Sequence, residues 1–361
     1  MFIQNGGEIL QKQIEEAVKN GQNQTVITGD YEIEKAIVLP QNFTVILEDA
    51  YLRLKDDSFC NIFINRSSVQ PTRTLAERDY NIHILGKGRA ILDGGKFNGL
   101  TERNAKEKGY LMYVNNLILL TNLENFSIKG IKLINQRWWA INLMYCSNGH
   151  VCDVEFCADD SVLYVDGERD YSINYKDLTK SHLDLLRNAD GIDLRVGCHD
   201  ILIENISGFT EDDTIALTSL IQNASCKYSV EGVEPSIHDI TIKNVKSSSW
   251  CANVRMLNQG GAKLYNITVD GVEDMSKDSP HMNRGLYTVR VGDNFLYSTR
   301  HSTEDETYNI TIKNIYSRAE KIICLAGSIK NCVIENVNGF DNFGVKIENT
   351  AKLFGDNKIE I

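Results

Sequence analysis

One short phrase returns along almost the whole chain: an apolar residue, any residue, a second apolar residue, any residue, then Asn, Gly or Asp. It reads Ile82-His83-Ile84-Leu85-Gly86, Phe126-Ser127-Ile128-Lys129-Gly130 and Ile201-Leu202-Ile203-Glu204-Asn205. It returns as Ile240-Thr241-Ile242-Lys243-Asn244, Ile267-Thr268-Val269-Asp270, Ile310-Thr311-Ile312-Lys313-Asn314 and Cys332-Val333-Ile334-Glu335-Asn336. Each copy is a period-2 strand ended by a residue that tolerates a left-handed backbone. Successive copies lie about 22 to 26 residues apart, or about twice that where one is blurred. A coil of three short strands needs about that length. One coil cannot bury its inner face alone, whereas stacked coils share a continuous core. The spacing therefore predicts an all-β, right-handed parallel β-helix running as a single domain over residues 1–361. Fixed leucines and helices, as in a leucine-rich repeat, are not seen, nor are the longer antiparallel blades of a propeller.

Helical periodicity is clear in one place. Ile9, Leu10, Ile14, Ala17 and Val18 form an apolar face over residues 8 to about 20, among Gln, Glu and Lys. A solenoid leaves a bare strand edge and an open core at its end, so this helix is expected to be the N-terminal cap. Gly86-Lys87-Gly88 and Gly94-Gly95 read as turns between coils. The stretches 56–80, 100–112, 158–182 and 273–304 read as long loops able to wall a groove.

The formal net charge is −11. That disfavours nucleic acids and anionic membranes as partners, and no stretch approaches the roughly 20 apolar residues of a membrane span. The N-terminus lacks a basic stretch followed by an apolar run, so a cytoplasmic location is expected unless a leader has been removed. Nine cysteines without CxxC pairs read as reduced, mostly buried thiols. Eight Asn-x-Ser/Thr triplets follow from strand grammar and read as turn residues. Oligomeric state is not legible.

Two acidic clusters carry the chemistry, Asn188-Ala189-Asp190-Gly191-Ile192-Asp193 and Glu211-Asp212-Asp213-Thr214. Asp190 and Asp212 are about one coil apart, which stacks their carboxyls into one patch. Crowded carboxylates cannot all ionise, so one keeps a proton near neutrality. Glycoside hydrolysis needs such a split: one carboxyl protonates the leaving oxygen while another activates water or attacks carbon. Solvated turn aspartates or a calcium site would give the same letters.

With these residues quoted, the chain resembles glycoside hydrolase family 28, the polygalacturonase-like family of the pectin-lyase-like superfamily. Asn188-Ala189-Asp190 is similar to its NTD motif and Asp212-Asp213 to its GDD or QDD motif. Gly86-Lys87-Gly88 through Asp93-Gly94-Gly95 resembles its GxGxIDGxG strand, and Asn135-Gln136-Arg137-Trp138-Trp139 echoes a tryptophan motif. The resemblance implies an inverting glycoside hydrolase acting on a pectin-type or related polysaccharide or oligosaccharide, without cofactor or metal. Asp212 would be the general acid, and Asp190 and Asp213 would hold and activate water. Asn188, Trp139, Arg255 and Arg290 are the expected substrate-binding residues.

The chain departs from the family twice. Ser249-Trp250-Cys251-Ala252 stands where Gly-His-Gly is expected, and Arg290-Val291-Gly292 stands where Arg-x-Lys is expected. The missing Lys, together with the net charge of −11, puts galacturonate itself in question and admits a neutral sugar, and the missing His leaves an inactive relative open. Trp138 or Trp139 could stack on a sugar face, the other packing in the wall. Arg255 could contact substrate or form a surface ion pair, and Glu211 could point outward. His182, His199 and His281 read as surface histidines. A polysaccharide lyase on the same fold and a non-catalytic carbohydrate-binding solenoid are the competing functions.

Overall fold

A computed structural model describes residues 1–360 except 57, 70–71, 96–115, 137, 159–163, 166–167, 170–188, 221–227, 259–260, 280–283, 293–301 and 341–343. The chain winds as a parallel β-helix. One column of long strands runs through Phe43–Leu54, Asp79–Asp93, Ile118–Lys129, Trp139–Cys157, His199–Thr210, Ile237–Ser249, Leu264–Asp274, Thr307–Ser317 and Ser328–Gly339, each parallel to the next. A second column stacks Asp190–Leu194, Ile215–Ser219, Ala252–Asn258, Tyr287–Val291, Lys321–Leu325 and Val345–Asn349.

Register explains the recurring phrase. Ile201, Ile240, Ile267, Ile310 and Cys332 sit directly over one another, as do Ile203, Ile242, Val269, Ile312 and Ile334. All ten are at most 2% exposed. These β-branched rows fill the interior, because the pleat sends every second side chain inward. A buried Ile or Val contributes roughly 1.5–3 kcal/mol over its exposed state, so the rows sum to a large share of the folding free energy.

The Asn that follows each phrase does not end its strand. It bends the strand: Asn205, Asn244 and Asn314 have φ of 57°, 49° and 59°, and the chain continues in β conformation to Thr210, Ser249 and Ser317. The bend residues also bond along the solenoid axis. Asn244 Nδ2 donates to Asn205 Oδ1 at 2.7 Å, and Asn205 donates to Asp153 at 3.0 Å. Asn331, Asn309, Asn266 and Asp239 form a second such ladder at 3.0, 2.9 and 3.0 Å. Several of the Asn-x-Ser/Thr triplets are thereby accounted for, since their Asn amides are engaged in these ladders. Gly86-Lys87-Gly88 likewise lies inside strand Asp79–Asp93 rather than between coils.

The capping helix is present over Gly6–Lys19. Leu10, Ile14 and Ala17 close the core, while Ile9 and Val18, expected on the same face, are 41% and 47% exposed. A helix face spans only about 100°, and these two flank it. Gln11 reaches the edge strand, its Oε1 accepting from Val38 N at 2.7 Å. Three of the stretches read as loops contain strands, among them 158–182, where Tyr164–Val165 pairs with Glu168–Arg169. Phe63–Asn65 pairs with Ile37–Leu39, and Tyr287–Val291 is a full rung of the second column. Residues 100–112 and nearly all of 158–182 lie outside the described residues. All eight described cysteines are free thiols, six of them buried.

Candidate active site

The site forms where the second column begins. Strand Asp190–Leu194 lies between Trp139–Cys157 and Ile215–Ser219, with Asp193 beside Asn142 on one side and Ala216 on the other. Ile192 and Leu194 point into the core, so alternation turns Asp193 and Arg195 outward. The turn 211–214 runs alongside residues 189–192. Glu211 N donates to Ala189 O at 3.1 Å, Gly191 N to Asp213 O at 2.9 Å, and Ile192 N to Thr214 O at 2.9 Å. Neighbouring coils thus bring Asp190 against Asp212 and Asp213. Below them lies the turn 249–252, tied by Thr214 N to Ala252 O at 2.9 Å and by Ser249 Oγ to Asp212 O at 2.6 Å.

Asp190, Asp193 and Asp213 are buried, while Asp212 is partly exposed. Two guanidiniums offset this charge. Arg195 stands 2.8 Å from Asp193 Oδ1, and Arg255 stands 3.4 Å from Asp213 Oδ2. Both arginines are buried. The Arg195 guanidinium acts on the Asp193 carboxyl chiefly through its charge, which favours ionisation against the effect of burial. Burial, reinforced by Asp193, Asp212 and Asp213, pushes the Asp190 carboxyl well above the usual carboxylate range. Burial also pushes Asp193 up to about 8, against the opposing pull of Arg195. Asp193 therefore keeps its proton at neutral pH, and Asp190 is pushed in the same direction, as crowding and low dielectric require.

The carboxylates of Asp212 and Asp213 and the thiol of Cys251 offer atoms all within 4.8 Å of one another. Burial first, then the two aspartates, raise the Cys251 thiol far above its ordinary value.

The other expected residues fall out variously. Asn188 lies outside the described residues, as do His182 and His281. Trp138 and Trp139 are both buried, at 0% and 2% exposure. The Trp139 ring carries the Arg195 guanidinium 3.6 Å from its centre, so that face is taken by a cation rather than offered to a sugar. Arg255 is a buried partner of Asp213, not a surface ion pair. Glu211 is also buried, and it accepts the Ala189 N–H at 3.3 Å instead of pointing outward. Arg290 lies in register with Arg255 on the next coil, partly exposed, over the Tyr287 ring at 5.0 Å. His199 stands on the wall, stacked on His238 at 4.8 Å. Arg195 and Cys251 were not singled out from sequence, and Asp193 only as part of its cluster. The signal available for the first was its i, i+2 spacing from Asp193.

Residues 78–230 match the model of glycosyl hydrolases family 28. No curated protein sequence matches the chain. Among solved structures, the exopolygalacturonase of Thermotoga maritima superposes with a TM-score of 0.54 at 15% identity, covering 96% of this chain and 88% of that one. The polygalacturonase of Erwinia carotovora gives 0.54 at 15% identity, covering 94% and 93%. A tailspike protein of E. coli bacteriophage HK620, in complex with a hexasaccharide, gives 0.59 at 13% identity, covering 97% of this chain but 60% of the tailspike. At such identities the likeness speaks for the fold. The chain is a parallel β-helix with the fold of the polygalacturonases it superposes on, and the stretch of it that bears Asp190, Asp212 and Asp213 matches glycosyl hydrolases family 28.

Proposed function

We propose that this chain hydrolyses a glycosidic bond of a polysaccharide or oligosaccharide by inverting acid–base catalysis. The observation that carries the reading is the convergence of Asp190, Asp212 and Asp213 from adjacent coils into one cluster. Asp212, the partly exposed member, is the general acid that protonates the leaving oxygen. Asp213, charge-paired to Arg255, is the base that takes a proton from water. Asp190, whose carboxyl burial pushes well above the usual range, holds that water by hydrogen bonding. Acid and base in inverting enzymes stand about 6.5–9.5 Å apart, whereas Asp212 and Asp213 offer oxygens within 4.8 Å of one another, so the anomeric configuration of the released product is the measurement that tests inversion.

Arg290 is the sugar contact on the groove floor, and Arg255 acts on it only through Asp213. Arg290, partly exposed, offers one guanidinium, which suits a carboxylate of a pectic sugar or the hydroxyls of a neutral one.

The test is release of reducing ends from a panel of pectic and neutral oligosaccharides. Asp212→Asn is expected to abolish turnover while leaving oligosaccharide binding and the folded state nearly intact. Hydrolysis at the wild-type rate in that variant would remove Asp212 from the role of acid. Products bearing a conjugated double bond would replace hydrolysis by elimination.

A further inference from the structure

We infer that Cys251 is a positioning residue for Asp212, its thiol donating a hydrogen bond to the Asp212 carboxylate and fixing its orientation within the cluster. The inference rests on the reading of Asp212 as the acid. Its own support is geometric. The thiol and the Asp212 and Asp213 carboxylates lie within 4.8 Å of one another, and Cys251 is 7% exposed, so no bulk water competes for the bond.

The backbone around it is fixed from three sides. Cys251 N donates to Ser249 Oγ at 3.0 Å, and Tyr287 N donates to Cys251 O at 2.8 Å. Ser249 Oγ in turn donates to the Asp212 carbonyl at 2.6 Å, and Thr210 Oγ1 donates to that same carbonyl at 2.9 Å. Two hydroxyls thus anchor the Asp212 backbone, and the thiol acts on the carboxyl it carries.

Sulfur is the donor here, because burial and the two carboxylates hold the group as S–H, and a hydrogen bond to Asp212 is part of that balance. An S–H group is a weak donor, but hydrogen bonds to charged acceptors are roughly twice as strong as neutral ones. The bond therefore strengthens as Asp212 gives up its proton, which favours the transition state over the ground state. A thiol also adds no charge to a cluster in which two guanidiniums already face four aspartates.

In Cys251→Ala, kcat is expected to fall about tenfold with KM changed less than about twofold, as for an interaction gained in the transition state. Losing the donor disfavours ionised Asp212, so the alkaline limb of the kcat profile should move to higher pH. Cys251→Ser supplies a hydroxyl donor and should restore most of the rate and return the limb. Infrared difference spectra read the bond without turnover. The S–H stretching band that disappears in Cys251→Ala should sit at a hydrogen-bonded frequency, and Asp212→Ala should shift it to that of a free thiol. A band indifferent to Asp212→Ala, or an alkaline limb unmoved in Cys251→Ala, overturns the inference. Wild-type hydrolysis by Asp212→Asn would instead overturn the acid assignment beneath it, whatever the band shows.

Discussion

Replacing Asp193 by Asn should flatten a loss of stability that the wild-type chain suffers as pH rises. Asp193 is fully buried, and its carboxyl is pushed up to about 8 in the folded state, against about 3.9 in an unfolded chain. Between those values the folded chain holds a proton that the unfolded chain has released. Stability is therefore highest below the unfolded value, falls as pH rises, and levels off above about 8. Each pH unit inside the window costs up to about 1.4 kcal/mol. Between pH 5.5 and 8 the loss reaches about 3 kcal/mol. Asn has the shape of the protonated acid and does not titrate. It also removes the largest neighbouring charge acting on Asp190, which lessens that group's share of the same loss. Urea unfolding at pH 5.5, 6.5, 7.5 and 8.5 measures the effect. Histidines and surface groups titrate alike in both chains, so the difference between the two stability curves isolates Asp193. It should grow with pH in favour of the Asn variant. Parallel curves would refute the claim that a protonated, buried Asp193 sits beside Arg195.

Gly208→Ala should prevent assembly of the coil that carries the site, because a Cβ there would lie 1.9 Å from Phe156 O at a backbone φ of 104°. Loss of soluble, protease-resistant protein is the expected result, and a folded, active variant would contradict the close approach. Arg290→Ala should raise KM more than it lowers kcat, as for binding shared by ground and transition states. Steady-state kinetics on the preferred oligosaccharide measure both, and an unchanged KM would take Arg290 out of the site.

Much of the architecture was legible because a solenoid repeats its own grammar. Alternation of Ile and Val with polar residues fixes which side chains face inward, and the recurring Asn, Gly and Asp mark the bends. The capping helix declared itself by its period. The coil-length spacing of Asp190 and Asp212 was enough to expect them side by side, since parallel stacking turns separation along the chain into adjacency.

Outward faces were less legible, because alternation says that a residue leaves the core and not what covers it. Ile9 and Val18 carry the apolar letters of the buried face yet lie at its margins. Trp139 read as a platform for sugar, but Arg195 occupies its ring. Glu211 read as an idle surface acid, but it accepts a backbone N–H in the buried turn. Strand Tyr287–Val291 was read as loop because a long insertion before it blurs the period.

The sequence by itself therefore determined a parallel solenoid with a capped end and a stacked pair of acidic turns, because those depend on repeat length and on side-chain alternation. Only the tertiary structure decided which charges share that patch. Asp193 and Arg195 enter it through strand register, and Cys251 enters through a turn one coil further on. How strongly each carboxyl holds its proton follows from burial and from neighbours remote in sequence, and neither quantity exists until the coils have stacked.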